Sequence, residues 1–468
     1  MVLVCVINLI VIGGLVFLAV TKGLERALPF FTFMVVLVPT DSKIELPGLF
    51  DLTTQRVALI TLAVLFLVLG ERKGPDAKAF ATPLKYLICT HIVWCIISTS
   101  DSIVPLASFK RMLSQIFEYY LIYYIFVRVA SSKETINKIL SAMVAAMTLA
   151  CILGIPEERW HWTIMSWFPT STVQLIVVQW GRGFRMHSTF VHPILFGGAI
   201  AIVIPLAFYL LTLAKGIGRK VYLWVCLMLM FMCIYKTMSR GPWLGLILAS
   251  ALLLVFGKGE IRKPLFGVCL LAVAVLVIRP GVWETLNETY HATQDTESPS
   301  GASYEYRYAL LKVSTQALAK DFTREIWGYG MESFPDLHLR GPFKEWDNWA
   351  FVSCDSSWIE ITVETGYVGV FILALLLIKP AVLTFRDFRK VPEPDNALSL
   401  TFFASMMAYY FMMTNVNMYS WGQNGYMLWM IIALSLAYGR LKRSESPPQG
   451  IEASQEKQLR PQMEVVSA

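Results

Sequence analysis

Residues 236–246 read KTMSRGPWLGL, and apolar sequence of helical length flanks them on both sides. Two apolar helices joined by a short polar break form a membrane hairpin, because a bilayer core about 30 Å thick is crossed by about 20 helical residues. Gly241 and Pro242 suit the turn, and proline suits the first turn of the helix that follows. Arg240 is not needed for a turn. A guanidinium at the end of an apolar span costs free energy unless something pairs with it.

The rest of the chain repeats this pattern. Its 468 residues are 56% hydrophobic and 16% charged, with a mean hydropathy of +0.56. A soluble protein carries about 25% charged residues, so this chain has too little polar surface to cover itself in water. Apolar runs lie near 2–20, 28–39, 57–70, 83–99, 109–129, 136–155, 187–214, 219–237, 242–256, 264–279, 356–379, 396–416 and 424–439. The expected fold is all-α, a polytopic membrane protein of about 12–13 transmembrane helices, with the short second run readable as re-entrant. The first run, Val2–Val20, lacks a basic flank and a cleavage site, so it is expected to stay as a span. Of eight cysteines only Cys354 lies outside an apolar run, and no CxxC pair occurs. Neither a disulfide framework nor a thiolate metal site is expected.

Lysine and arginine placement sets the orientation. One set of connections carries Lys22 and Arg26, then Arg72, Lys73 and Lys78, then Arg128, Lys133 and Lys138. It continues with Lys215, Arg219 and Lys220, then Lys258, Arg262 and Lys263, then Lys379, Arg386, Arg389 and Lys390, and ends with Arg440, Lys442 and Arg443. This side is expected to be cytoplasmic. Residues 1–439 read as one membrane domain, and 440–468 as a cytoplasmic tail expected to be disordered. The other side holds 40–56, 100–108, 156–186, 238–241, 280–355 and 417–423. Within the large loop 280–355, residues 303–320 read as a helix, with Ser303 as N-cap and an apolar face of Leu310, Leu311, Val313 and Leu318. Trp160, Trp162, Trp167, Phe168 and Trp180 in 156–186 suit an interfacial belt, with substrate stacking the alternative.

Several arginines sit on this outer side, where arginine is disfavoured: Arg182 and Arg185 before the 187–214 span, Arg240 in the turn between two spans, and Arg307 on the loop helix. Each alone could snorkel to headgroups. Clustered on one face, they are better explained by an anion. The guanidinium fork matches phosphate oxygens, and a helix N-terminus after Ser239-Arg240-Gly241-Pro242 favours the same charge. A lipid-linked diphosphate would present such oxygens at this depth.

Four ordered pieces carry a family resemblance. Arg185 precedes FVHPILFGG, with His192 and Pro193; SRG follows at 239–241. Arg307 then leads to WGYG with Gly328 and Gly330, and DSSWIEITVETGYVGVF carries Asp355, Ser356, Glu364, Gly366 and Gly369. In these pieces, over residues 180–370, the chain resembles the O-antigen ligase and O-antigen polymerase superfamily. The resemblance implies a GT-C-like fold with one large periplasmic loop, in the bacterial inner membrane. It implies a glycosyltransferase that moves a glycan from undecaprenyl diphosphate to an acceptor glycan or glycolipid at the periplasmic face, and it admits a chain-length regulator protein as partner. Nucleic acid is not expected. The ligases carry His-Asn where this chain has Asp355-Ser356, which points toward polymerase or exopolysaccharide-type transfer.

On this reading Arg185 and Arg240 hold the diphosphate, with Arg307 in support. Asp355 is the first candidate for general base, with His338 and His192 as alternatives. Asp355 could instead cap a helix, His192 could be a packed helix-start residue, and Glu364 could pair within the bundle. Gly328 and Gly330 shape the site. No cofactor is expected, and DTE (295–297) and EWD (345–347) lack the partners of a metal site, so the reaction is expected to be metal-independent. The rival class is a lipid flippase or transporter, which would show paired repeats and mid-membrane binding.

Overall fold

The computed structural model describes residues 2–46, 50–69, 82–168, 178–179, 183–278, 287, 291, 299–340, 351 and 353–445. Arg72, Lys73, Lys78, Trp180, Arg182, the DTE and EWD acids and the tail beyond 445 lie outside these residues.

Every apolar run lies on a helix. The helices are α1 (Val2–Lys22), α2 (Leu24–Leu37), α3 (Thr54–Leu69), α4 (Lys85–Ser100) and α5 (Pro105–Gln115), which passes through a π-helical turn (Ile116–Tyr120) into α6 (Leu121–Val129). They continue as α7 (Lys133–Trp160), α8 (Pro193–Thr212), α9 (Ile217–Lys236), α10 (Arg240–Phe256) and α11 (Gly259–Ile278). Next come α12 (Pro299–Leu318) and α13 (Phe322–Trp327), then α14 (Ser357–Lys390), α15 (Asn396–Met412) and α16 (Gly422–Glu445). Two short antiparallel ladders, Lys43–Ile44 with Leu52–Thr53 and Val178–Gln179 with Gly183–Phe184, are the strands among the described residues. Five helices (α1, α7, α8, α9 and α14) are long and apolar enough to cross a membrane alone, and α3 and α10 are shorter apolar helices. The chain is an all-α, multi-pass membrane protein.

Burial separates the lining of the bundle from its centre. The apolar window of α8 is 94% buried, against 28% for α1 and 33% for α9. A helix apolar all round and enclosed by protein is a core helix, whereas α1 and α9 turn apolar faces outward as lipid-facing helices do. Helix α16 is likewise enclosed, buried from Gln423 to Gly439, with Trp429 edge-on to Tyr120 and Tyr123.

Ion pairs fix one end. Asp395 binds Lys133 and Lys442 at 2.5 Å each, and Arg443 binds Asp387 at 2.6 Å. Three of the lysine- and arginine-rich connections therefore meet at one end of the bundle, as the charge count requires. The opposite end, called here the loop end, carries α12 and α13.

Some boundaries move. Helix α7 runs through Pro156 to Trp160, beyond the expected 155. Helix α12 begins at Pro299, so Ser303 lies inside it and does not cap it. Helix α10 begins at Arg240, with Pro242 in its first turn instead of opening it. Helix α14 contains a break: Gly366 has φ 71° and ψ 177°, which no helix accommodates.

Candidate functional site

The turn between α9 and α10 gets its shape from Met238, which adopts a left-handed φ of 48°. Gly241 has a different task. A Cβ there would sit 2.5 Å from Asn415 Oδ1, so glycine admits the α15–α16 connection against the turn. Pro242 packs on α8, whose Gly197 leaves room for its ring. Ser239 precedes α10 in extended conformation, but its hydroxyl does not cap the helix. It donates instead to Thr237 O at 2.9 Å and accepts from Arg185 Nη2 at 2.7 Å. Arg185, only 3% exposed, also donates through Nε to Thr237 O at 3.0 Å. Arg185 thus braces the turn that presents Arg240.

The Arg185 segment is itself held by a carboxylate. Glu157, fully buried near the end of α7, accepts from His187 N and Ser188 N at 2.9 Å each and from Thr163 Oγ1 at 2.6 Å. A buried carboxylate spent on backbone N–H groups fixes a segment that has no ladder of its own. His192 ends this segment as the N-cap of α8, its Nδ1 accepting from Ile194 N at 3.3 Å. Burial, with the nearby charges of Arg185 and His187, pushes its pKa down to about 4. The imidazole is neutral at neutral pH and already engaged, which is the helix-start role.

Arg240 and Arg307 come within electrostatic reach of each other, although 67 positions separate them in the chain. Arg307 stands on α12, and its Nη2 meets Asp355 Oδ2 at 3.2 Å. Asp355 is not a cap: Ser356 caps α14, its Oγ accepting from Ile359 N at 3.4 Å. The Asp355 carboxylate is therefore left for the site, with 37% of its side-chain surface open. Burial of the remainder raises its pKa above the ordinary carboxylate value, and Arg307 pulls it back.

The other expected residues lie apart. His338 is exposed at the end of a 3-10 turn, and among the described residues it makes no hydrogen bond or ion pair to this group. Glu364 is 6% exposed and belongs to a second polar cluster with Arg111, Glu332 and Glu360. It lines a cavity of about 20 Å³, room for one water, with His91, Gln115 and Tyr419. Gly328 and Gly330 carry positive φ and let the loop backbone pack onto the break in α14: Tyr329 N donates to Val363 O at 3.0 Å and Gly330 N to Glu364 O at 2.9 Å.

Sequence reading missed Glu157, Asn415 and Glu360. Glu360 accepts from Asn417 Nδ2 at 2.6 Å and Ser420 Oγ at 2.9 Å, clamping the α15–α16 connection. Its one signal was the four-residue spacing from Glu364, which puts both carboxylates on one helix face.

Along the chain the site runs in the order turn arginine, loop arginine, acid at the mouth of a broken helix. Residues 225–374 match the O-antigen ligase family, Wzy_C. The match runs from within α9 to α14 and takes in Arg240, Arg307, Asp355 and Gly366, while Arg185 and His192 precede it. It supports placing the chain in the O-antigen ligase and polymerase superfamily, with a ligase- or polymerase-type function in envelope polysaccharide synthesis. No curated protein is a significant match to the chain.

Proposed function

We propose that the protein is a glycosyltransferase of the bacterial inner membrane that moves a glycan from undecaprenyl diphosphate to an acceptor hydroxyl. The observation that carries this reading is the pairing of Arg307 with Asp355 at 3.2 Å, with Arg240 in electrostatic reach of Arg307. The charges of Arg240 and Arg307 repel, and a diphosphate between them would turn the repulsion into attraction. The same arrangement sets the leaving-group site beside a carboxylate.

In the proposed reaction the acceptor oxygen attacks the anomeric carbon of the donor. The bond from that carbon to the phosphate oxygen breaks, and undecaprenyl diphosphate leaves with the electron pair. Asp355 takes the acceptor's proton. Arg240 and Arg307 neutralise charge as it grows on the diphosphate, and Arg185 holds the turn that aims Arg240. Charge neutralisation by arginine needs no metal, so chelator is expected to leave the rate unchanged. The loop end is assigned to the periplasm and the C-terminus to the cytoplasm, consistent with the basic connections at the other end. Residues 1–439 form the catalytic domain in this reading, with 440–468 as the tail. Asp355-Ser356 in place of His-Asn favours polymerisation or exopolysaccharide-type transfer over ligation to a lipid A core.

The test is incubation of purified protein with a lipid-diphosphate glycan and acceptor. A new glycosidic bond supports the reading. Translocation across vesicles with no new bond would instead make the protein a flippase.

A further inference from the structure

The connection between α15 and α16 runs past both halves of this site. We propose that Asn415, on that connection, is a specificity-determining residue that accepts a hydrogen bond from a ring hydroxyl of the sugar joined to the diphosphate. The inference rests on the transferase reading and adds to it a contact with the transferred sugar.

Three observations carry it. First, Asn415 Oδ1 is screened from solvent and has no hydrogen-bond donor among the described residues. A buried acceptor without a donor is costly, and a bound ligand can supply the missing donor. Second, its place is shaped for it: a Cβ on Gly241 would lie 2.5 Å from this oxygen, so the residue after Arg240 is one that makes room. Third, the connection is fastened on both sides of Asn415. Ser356 Oγ donates to Met413 O at 3.2 Å, and Ser357 Oγ donates to Val416 O at 3.1 Å while accepting from Met418 N at 3.0 Å and Tyr419 N at 3.2 Å. Glu360 holds Asn417 and Ser420, and Arg111 Nη2 donates to Ser420 O at 2.9 Å. An acceptor held this firmly cannot swing away to find a partner.

Position names the ligand. Asn415 touches Gly241, the neighbour of Arg240, and its connection is bonded to Ser356, the neighbour of Asp355. It therefore lies between the groups assigned to the leaving diphosphate and to the incoming acceptor. The moiety that bridges those two in a glycosyl transfer is the transferred sugar. A sugar hydroxyl is the donor such a carboxamide oxygen takes.

The experiment compares wild type with Asn415→Ala and Asn415→Asp. The substrates are the native lipid-diphosphate glycan and a series of donors each lacking one ring hydroxyl on the first sugar. Wild type should lose kcat/KM roughly tenfold to hundredfold on one member of the series. Asn415→Ala should be slower by a similar factor on the native donor and indifferent to that same hydroxyl. Asn415→Asp keeps the acceptor oxygen and should still discriminate, which serves if the alanine variant fails to fold. Equal loss on all donors, or no loss, would overturn the inference, and would mean that water or packing satisfies the oxygen. No transfer by wild type would overturn the transferase reading itself and the inference with it.

Discussion

Arg185 and Arg240 both carry charge to the loop end, and Arg185 spends its own on the turn. Its bonds to Thr237 and Ser239 mean that Arg185→Ala removes the brace of the turn as well as a charge. We expect Arg185→Ala to lower both transfer and melting temperature. Arg240→Ala should lower transfer at least about 10²-fold at equal folded protein, the cost of one preorganised donor. Asp355 gives a pH test. As general base it must be ionised, so activity falls as pH drops through its pKa, which burial raises and Arg307 lowers. Arg307→Gln should therefore move the acid limb of kcat/KM to higher pH. A limb that stays in place would remove Asp355 from the base's role. Arg240 and Asp355 were legible in sequence because charge at a span end has a visible cost, and Arg307 because arginine is disfavoured on the outer side. Asn415 was not: in TNVN it is one polar residue among several, and only the fold shows that its oxygen is buried.

At the scale of elements, α14 is the piece that sequence reads least well. Its apolar length gave its position, but ETGYVGV looks like an ordinary helix containing glycine. The break at Gly366 frees carbonyls that the rest of the loop end takes up: Val363 and Glu364 accept from the Tyr329 and Gly330 N–H groups, Glu364 also from Ser98 Oγ at 2.8 Å, and Thr365 from Trp94 Nε1 at 2.9 Å. A Cβ on Gly366 would lie 2.1 Å from Ile326 O, and one on Gly328 would lie 2.4 Å from the Glu364 carbonyl carbon. Gly366→Ala combines a positive φ with a backbone collision and should destabilise by about 3 kcal/mol or more. Gly13→Ala, on α1 with open space around the added methyl, should leave melting unchanged. Equal effects of the two would mean that the break is not what docks the loop. The same limit explains α7, which runs past the expected 155 and through Pro156 because tertiary contacts through Glu157 hold its last turn.

The whole molecule divides its charge between two ends. At the end opposite the loops, Asp395 gathers α7 and α16 through Lys133 and Lys442. Burial would raise its pKa, but the two lysines outweigh this and hold the carboxyl below its ordinary value. A depressed folded pKa stabilises above the unfolded value and is lost as pH falls through the folded one. Asp395→Asn should thus lower melting temperature slightly at neutral pH, and the difference should vanish in acid. The separation into two ends was legible, because lysine and arginine counts alternate along the chain. The meeting of Arg185, Arg240, Arg307 and Asp355 was not readable from spacing, because they come from four distant stretches and share no period. Only the order they share with a family hinted at it. The central claim is that these residues form one site for transfer from a lipid diphosphate. It is tested most directly by incubating purified wild type and Arg240→Ala with a lipid-diphosphate glycan and acceptor, and measuring glycosidic bond formation. We expect product with wild type and at least about 10²-fold less with Arg240→Ala at equal folded protein. Equal product from the two would contradict it.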